Sequence, residues 1–338
     1  MNLEKMLAGL IQRYGWRKQL IRDARTLGSM EWAKYFKGWF DDVSQFSVES
    51  DGNVRLHRLG ISVSPETARW LLNRNMNYGY CLELQEQGVT FSVDSVGLLG
   101  EYRGGRFLLE PDTLVILWEL LCQNAYRWTS AHAPTLIFDV GMNVGFTAIM
   151  FAIRHPYAEI VGFEPFGPTF ERLKRNLALN PQLAGRITAC NIALSDHDAE
   201  EKWYRSQDNA ALSSQFDFNC GMAPELVRLR SATLAMQPAL DAHPGWKCVV
   251  KMDCEGGEYA ILKDWAASGF AAKVDLLAME YHEFGGHLLA DLEKWFCDNG
   301  FTAIVQPLRW QGKQMKWGAV FAFPNRAVAC RNANDAGG

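Results

Sequence analysis

The stretch Leu136-Ile137-Phe138-Asp139-Val140-Gly141-Met142-Asn143-Val144-Gly145 decides the fold. Its first five residues read as a short buried strand, and residues 145–154 read as a helix. Between them lies a turn of the form Asp-x-Gly-x-x-x-Gly. Glycine permits a tight turn and a close approach to the backbone, and the helix N-terminus that follows presents free N–H groups to an anion. A pyrophosphate-binding turn is expected to read Gly-x-Gly-x-x-Gly. Here the glycine spacing differs and an acidic residue leads.

Outward from this loop, residues 160–163 form a second strand that stops at Glu164-Pro165, 169–179 a helix and 187–190 a third strand. A polar, flexible insertion is expected from Asp196 to Pro244. The strand 248–252, the helix 257–267, the strand 275–280, the helix 288–299 and late strands at 302–305 and 318–323 follow. Strands alternating with helices of this length predict a parallel α/β sheet of Rossmann-like architecture, with ligands outside the strand C-termini. Glu164 stands at such an end, where a carboxylate accepts hydrogen bonds from ribose hydroxyls. An acid beside donor amides suits a ligand carrying both ammonium and carboxylate, as the methionine end of S-adenosylmethionine does. Asp139, Gly141, Asn143, Gly145, Glu164 and Asp253 are expected cofactor residues.

The 338 residues are 48% hydrophobic, an ordinary globular balance, and the chain exceeds the comfortable size of one core. An N-terminal α+β addition over 1–112, serving acceptor selection or oligomerisation, is expected before a cofactor domain over 113–328 and a flexible tail over 329–338. Within the addition, helical spacing over 3–21 and an aromatic run over 30–40 predict two helices, which make a homodimer plausible. Short strands follow at 89–93 and 106–109, then a helix over 113–128. Trp39, Trp70, Tyr78 and Tyr80 are candidates for stacking on a sugar or for plain packing. The net charge of −4 argues against a nucleic-acid partner. The eight cysteines form no CxxC pair and fit reduced thiols. No run approaches the roughly 18 apolar residues that span a bilayer, and charges interrupt the N-terminal apolar residues, so a cytoplasmic location is expected.

Four stretches resemble the FkbM-type methyltransferase family: Phe138-Asp139-Val140-Gly141-Met142-Asn143-Val144-Gly145, Phe163-Glu164-Pro165, Asn191-Ile192-Ala193-Leu194-Ser195-Asp196, and Val250-Lys251-Met252-Asp253-Cys254-Glu255-Gly256-Gly257-Glu258. Ala232-Thr233-Leu234 is a weaker fifth match that lacks the acidic residue often following it. The resemblance spans about 136–280. It implies a class I methyltransferase fold with a seven-stranded sheet whose last strand is antiparallel. It also implies S-adenosylmethionine as donor and a hydroxyl acceptor on a sugar, glycan or natural product. Carried over, Asp139, Gly141 and Gly145 hold the methionine end, Glu164 the ribose, and Asn191 and Ala193 lie near adenine.

Asp253 ends one strand and Glu280 the next, with His282 two residues on; adjacent strand ends in such a sheet converge on one crevice. An alcohol needs a base, or a metal, to become a nucleophile at neutral pH. His282 suits a base because it titrates near neutrality, and Asp253 and Glu280 are the other candidate catalytic groups. The two carboxylates also suit a hard cation such as magnesium, but the ligand count is incomplete and no metal site is assigned. Glu255 and Glu258 read as stabilisers of a helix N-terminus. Two alternatives stay open: a nicotinamide-dependent oxidoreductase, disfavoured by the glycine spacing, and a non-catalytic cofactor-binding protein on the same scaffold.

Overall fold

The computed structural model describes residues 46–73, 75–128, 133–205, 213–215, 223–310 and 313–325. The helices expected over 3–21 and 30–40, Trp39 and the tail lie outside these. The chain divides into two compact units, one running to Ala125 and the other starting at Tyr126.

In the first unit, β1 (Phe46–Val48), β2 (Val54–Leu56) and β3 (Ile61–Val63) form one antiparallel sheet. Helices α1 (Pro65–Asn73) and α2 (Asn75–Glu86) follow. A second sheet comprises β4 (Thr90–Asp94), β5 (Gly97–Tyr102) and β6 (Gly105–Leu109), and then comes α3 (Leu114–Leu121). The helix expected over 113–128 is therefore shorter. Asn124 and Tyr126 adopt left-handed backbone (φ 56° and 52°), which no helix continues through. α3 also belongs to the first unit, so the boundary falls after Ala125 rather than after 112. On α3, Trp118 donates Nε1–H to Glu83 Oε2 of α2 at 2.6 Å and packs 4.5 Å from the ring of Tyr80. Tyr78 is buried. Those two tyrosines are packing residues of this unit.

The second unit is built on a seven-stranded sheet of β7 (Thr135–Val140), β8 (Ala158–Phe163), β9 (Ile187–Cys190), β13 (Lys247–Met252), β14 (Leu276–His282), β15 (Phe301–Trp310) and β16 (Lys313–Pro324). Across the sheet the order is β15-β16-β14-β13-β7-β8-β9, and β16 runs antiparallel to both neighbours. This is the sheet the resemblance implies. All six residues of β7 are buried, as the near-continuous apolar run Leu136-Ile137-Phe138 requires of a strand covered on both faces. From β7 the chain winds outward through α4 (Phe146–Arg154), β8, α5 (Gly167–Ala178) and β9, then returns to β13 on β7's other side. That reversal opens a crevice beyond the C-termini of β7 and β13, the usual ligand position in a doubly wound sheet.

The stretch 196–244 is a correction. Instead of an extended polar run, it holds β11 (Ala199–Arg205) and β12 (Ala223–Ser231), which form a small sheet with β10 (Ala193–Ser195), and α6 (Ala232–Ala242). Val227, Leu229 and Ser231 alternate inward on β12 while Leu226, Arg228 and Arg230 face out. That period of two is the strand signal the polar composition hides. The last two strands are likewise longer than expected, with an irregularity between Pro307 and Arg309. Among the described residues no helix is long and apolar enough to cross a membrane.

Candidate functional site

The loop after β7 is locked from three directions. The N–H groups of Gly141 and Met142 both donate to Phe163 O at 3.0 Å, and Asp253 N donates to Val140 O at 3.0 Å. Gly141 (φ 79°) and Gly145 (φ 84°) take the left-handed backbone that favours glycine. Gly145 caps α4 (Phe146–Arg154) with no side-chain hydrogen bond, and the helix begins directly after the loop.

Beneath the loop lies Lys251, buried on β13 beside Asp139, its register partner on β7. Its ammonium donates to Gly141 O at 2.7 Å and Val140 O at 3.3 Å, and stands 3.3 Å from Asp139 Oδ1 and 3.9 Å from Asp253 Oδ2. The link to Asp139 is an ion pair at 3.3 Å, longer than the donation to Gly141 O. Both Asp139 oxygens stay buried without a hydrogen bond. Burial pushes Asp139 up to about 6 in spite of Lys251. Burial pulls Lys251 down, but Asp139 and Asp253 outweigh it and hold the ammonium charged.

Glu164, just beyond β8, accepts from Asn143 N and Phe166 N, each at 3.0 Å, so it pins the loop as well as facing the crevice. Asn191 in turn donates Nδ2–H to Glu164 O and Pro165 O at 2.8 and 3.0 Å, which makes it a support of this turn. Ala193 is buried on β10 among Phe166, Trp203, Val227 and Leu229, and so belongs to a core. Burial pushes Glu164 up to about 8, against the pull of its two N–H donors. A carboxyl raised on folding keeps a proton that the unfolded chain has lost, so the folded state loses stability as pH rises towards the folded value. Above about pH 6, where Asp139 has ionised, we expect the denaturation midpoint of the ligand-free protein to keep falling, with Glu164 contributing up to about pH 8 and His282, raised to about 10, continuing the decline beyond it. Glu164→Gln should flatten that decline; a slope unchanged in the variant would remove Glu164 as its source.

Tyr126, the first residue of this unit, joins the two acidic strand ends. Its hydroxyl lies 3.0 Å from Asp253 Oδ2 and 3.0 Å from Glu280 Oε1. Burial and the two carboxylates raise Tyr126 far above the ordinary phenol range, so it stays protonated. A phenol has a single proton to donate. With two carboxylates at hydrogen-bond distance, Tyr126 serves one of them at a time, and the trio forms a bridge across which a proton can be passed. The ring also lies 5.4 Å from the Lys251 ammonium.

His282 falls inside β14, which runs two residues past Glu280. Its Nδ1 is 2.9 Å from Glu258 Oε1 and its Nε2 3.5 Å from Glu255 Oε2. Burial alone would lower His282, but Glu258 and Glu255 push it up to about 10. An imidazolium has no lone pair with which to accept a proton. Held between two carboxylates, His282 lacks the free lone pair that the expected base role requires. Glu255 has left-handed backbone (φ 53°), and its carbonyl accepts from Ser214 Oγ at 2.6 Å. Glu258, at the start of α7 (Glu258–Ser268), is fully buried, so it does more than stabilise a helix end on the surface.

The loop, Glu164, Asp253, Glu280 and His282 thus stand at the C-terminal ends of four neighbouring strands, β7, β8, β13 and β14. Tyr126 was missed because nothing local marks it, 127 residues before Asp253. Lys251 lies within a quoted motif, and its signal was a lone cation inside an apolar strand. On α6, Thr233 donates N–H and Oγ1–H to Asp264 Oδ2 of α7 at 2.7 and 2.5 Å.

Comparison with known proteins bears on this arrangement. The methyltransferase FkbM domain matches residues 139–303. Methyltransferase sdnD of Sordaria araneosa is 31% identical over 228 residues, covering 55% of this chain and 86% of that protein. The 31-O-demethyl-FK506 methyltransferase FkbM of Streptomyces tacrolimicus is 27% identical over 162 residues, 47% of this chain and 59% of that one. A 92-residue stretch, 27% of this chain, is 38% identical to part of AMB antimetabolite synthetase AmbE of Pseudomonas aeruginosa, but spans only 4% of its length. The matched domain opens at Asp139 and runs through Glu164, Lys251, Asp253 and Glu280, the residues that the sheet gathers at one crevice. This chain belongs to the FkbM-type methyltransferase family.

Proposed function

We propose that the chain transfers a methyl group from S-adenosylmethionine to a hydroxyl of a sugar, glycan or other natural product. The observation that supports this reading best is the juxtaposition, on neighbouring strand ends, of a loop with unsatisfied buried acceptors and a phenol shared by two carboxylates. Both Asp139 oxygens and Asn143 Oδ1 are buried with no hydrogen-bond partner, a costly state that donors on a ligand relieve. The uncapped N-terminus of α4 suits the ligand's carboxylate. Each Glu164 oxygen already accepts one N–H and keeps a lone pair for a ribose hydroxyl. The residues present therefore fit the donor.

When bound, the sulfonium donor supplies an electrophilic methyl carbon; the acceptor oxygen attacks it in line and the carbon–sulfur bonding pair leaves on sulfur. The chain's own residues handle the proton. Asp253 or Glu280 accepts it from the attacking hydroxyl, and Tyr126 holds the two carboxylates at the distance across which it is shared. Lys251 keeps Asp139 in place and fixes the loop carbonyls, so alignment of donor and acceptor rests on a rigid floor.

Calorimetric titration with S-adenosylmethionine and with NAD tests the cofactor, and a radiolabelled methyl-transfer screen over cell extracts and glycans tests the acceptor. We expect binding of the sulfonium compound alone. With the acceptor so found, Glu280→Gln should lower kcat by roughly 100-fold while leaving cofactor affinity within a few-fold. Tight NAD binding with no response to S-adenosylmethionine would sink the reading.

A further inference from the structure

We infer that Asp253, Glu255 and His282 form a binding site for one first-row divalent cation. One oxygen from each carboxylate and one ring nitrogen lie within 4.8 Å of one another. They come from the loop after β13 and the last residue of β14, the two central strands that border the crevice.

The nitrogen available is Nε2, since Nδ1 is engaged by Glu258 at 2.9 Å. Nε2 lies 3.5 Å from Glu255 Oε2, long for a hydrogen bond. Ligand atoms about 2.1 Å from an ion stand about 3.0 Å apart at adjacent octahedral positions and about 3.4 Å apart at tetrahedral ones. The gap therefore matches one edge of a coordination polyhedron, with an ion in place of the ring proton.

Independent support comes from behind the imidazole. Glu258 is fully buried, and its second oxygen, Oε2, has no hydrogen-bond partner. A carboxylate that fixes the far nitrogen of a histidine, orients the ring and raises its basicity is the usual outer partner of a metal-bound imidazole. Charge points the same way. Lys251 faces Asp139 and two carbonyls and reaches Asp253 only at 3.9 Å, so the three carboxylates of Asp253, Glu255 and Glu258 share one imidazole and that one more distant ammonium.

The ligand set selects the ion. Two carboxylates suit a hard cation, whereas an imidazole disfavours magnesium and calcium relative to manganese, iron, cobalt or zinc. In the proposed reaction an ion here would hold the acceptor oxygen and make its proton easier to remove, with Glu280 still beside Tyr126 to receive that proton. Binding of the bare ion is nevertheless independent of the methyl-transfer reading, and the test measures binding alone.

The experiment is titration of chelator-treated protein with Mn²⁺, followed through loss of the free-ion paramagnetic resonance signal. We expect one Mn²⁺ per chain. Glu255→Gln should weaken it at least tenfold and Glu258→Gln by roughly 10- to 100-fold, the usual range for an outer partner. Mg²⁺ should displace it only at large excess. Circular dichroism of each variant verifies folding, and Glu255→Gln, changed at a partly exposed loop residue, guards against a variant that merely unfolds. Absence of Mn²⁺ binding, or equal binding by the wild type and Glu255→Gln, overturns the site and leaves the proposed methyl transfer standing.

Discussion

Gly141→Ala should unfold the cofactor loop. A Cβ at this position would sit 1.8 Å from Asp253 O and 2.9 Å from Asp253 C, both backbone atoms that cannot swing aside. The same residue has φ +79°, where alanine is strained even with space to spare. Relief requires the loops after β7 and β13 to part, and with them the bond from Asp253 N to Val140 O. A loss of about 3 kcal/mol or more is expected, with at least a tenfold weaker response to S-adenosylmethionine. Gly145→Ala is the control. It carries a similar backbone angle, but its nearest neighbour is the side chain of Leu173 at 3.2 Å. Strain without a backbone collision should cost about 1–2 kcal/mol. Urea denaturation of both variants decides the matter: equal losses would mean that close packing against Asp253 contributes nothing.

Lys251→Met should be the other severe change. The side chain shape is nearly kept, so packing survives, but Asp139 becomes a buried carboxylate with no cation beside it. Breaking a buried pair by removing one partner typically costs 3–5 kcal/mol. Two loop carbonyls, of Val140 and Gly141, lose their donor as well. Adding Asp139→Asn to Lys251→Met removes the stranded charge, and we expect it to recover at least about 1 kcal/mol of the loss. Stabilities of the wild type, both single variants and the double variant complete the cycle. If the two losses simply add, the pair is not coupled and Lys251 acts only through the carbonyls.

The parallel strands and their helices were legible because their signals are local. Residues 187–190 form a strand with the bounds their pattern predicts, and β7, β8, β13 and the helices after them agree to within about two residues. Legibility failed where a local signal was outvoted by composition. The polar composition of 196–244 suggests a flexible insertion, whereas Val227 and Leu229 on one face of β12 join Trp203 of β11 in packing against Phe166. The helix after Thr113 ends early because Asn124, a residue type that accepts left-handed backbone, takes φ 56°, a local stop signal that the apolar Tyr126 and Trp128 beyond it obscure.

The Asp139–Gly145 loop, taken with Glu164, determined from sequence alone where the α/β sheet begins and which of its strand ends carries the proposed nucleoside-type site. Glycine spacing and a carboxylate one βα unit later are properties of neighbouring residues, and a linear reading reaches them. Only the tertiary structure decided how the acidic residues divide their work. Asp253 and Glu280 are linked through Tyr126, which comes from the far side of the whole domain in sequence, while His282 is taken by Glu258 and Glu255. Those partnerships depend on β13 and β14 lying side by side, and therefore on the order of strands in the sheet. A titratable group's role is set by the charges and hydrogen bonds around it rather than by its own residue type, so it becomes readable once the sheet is assembled.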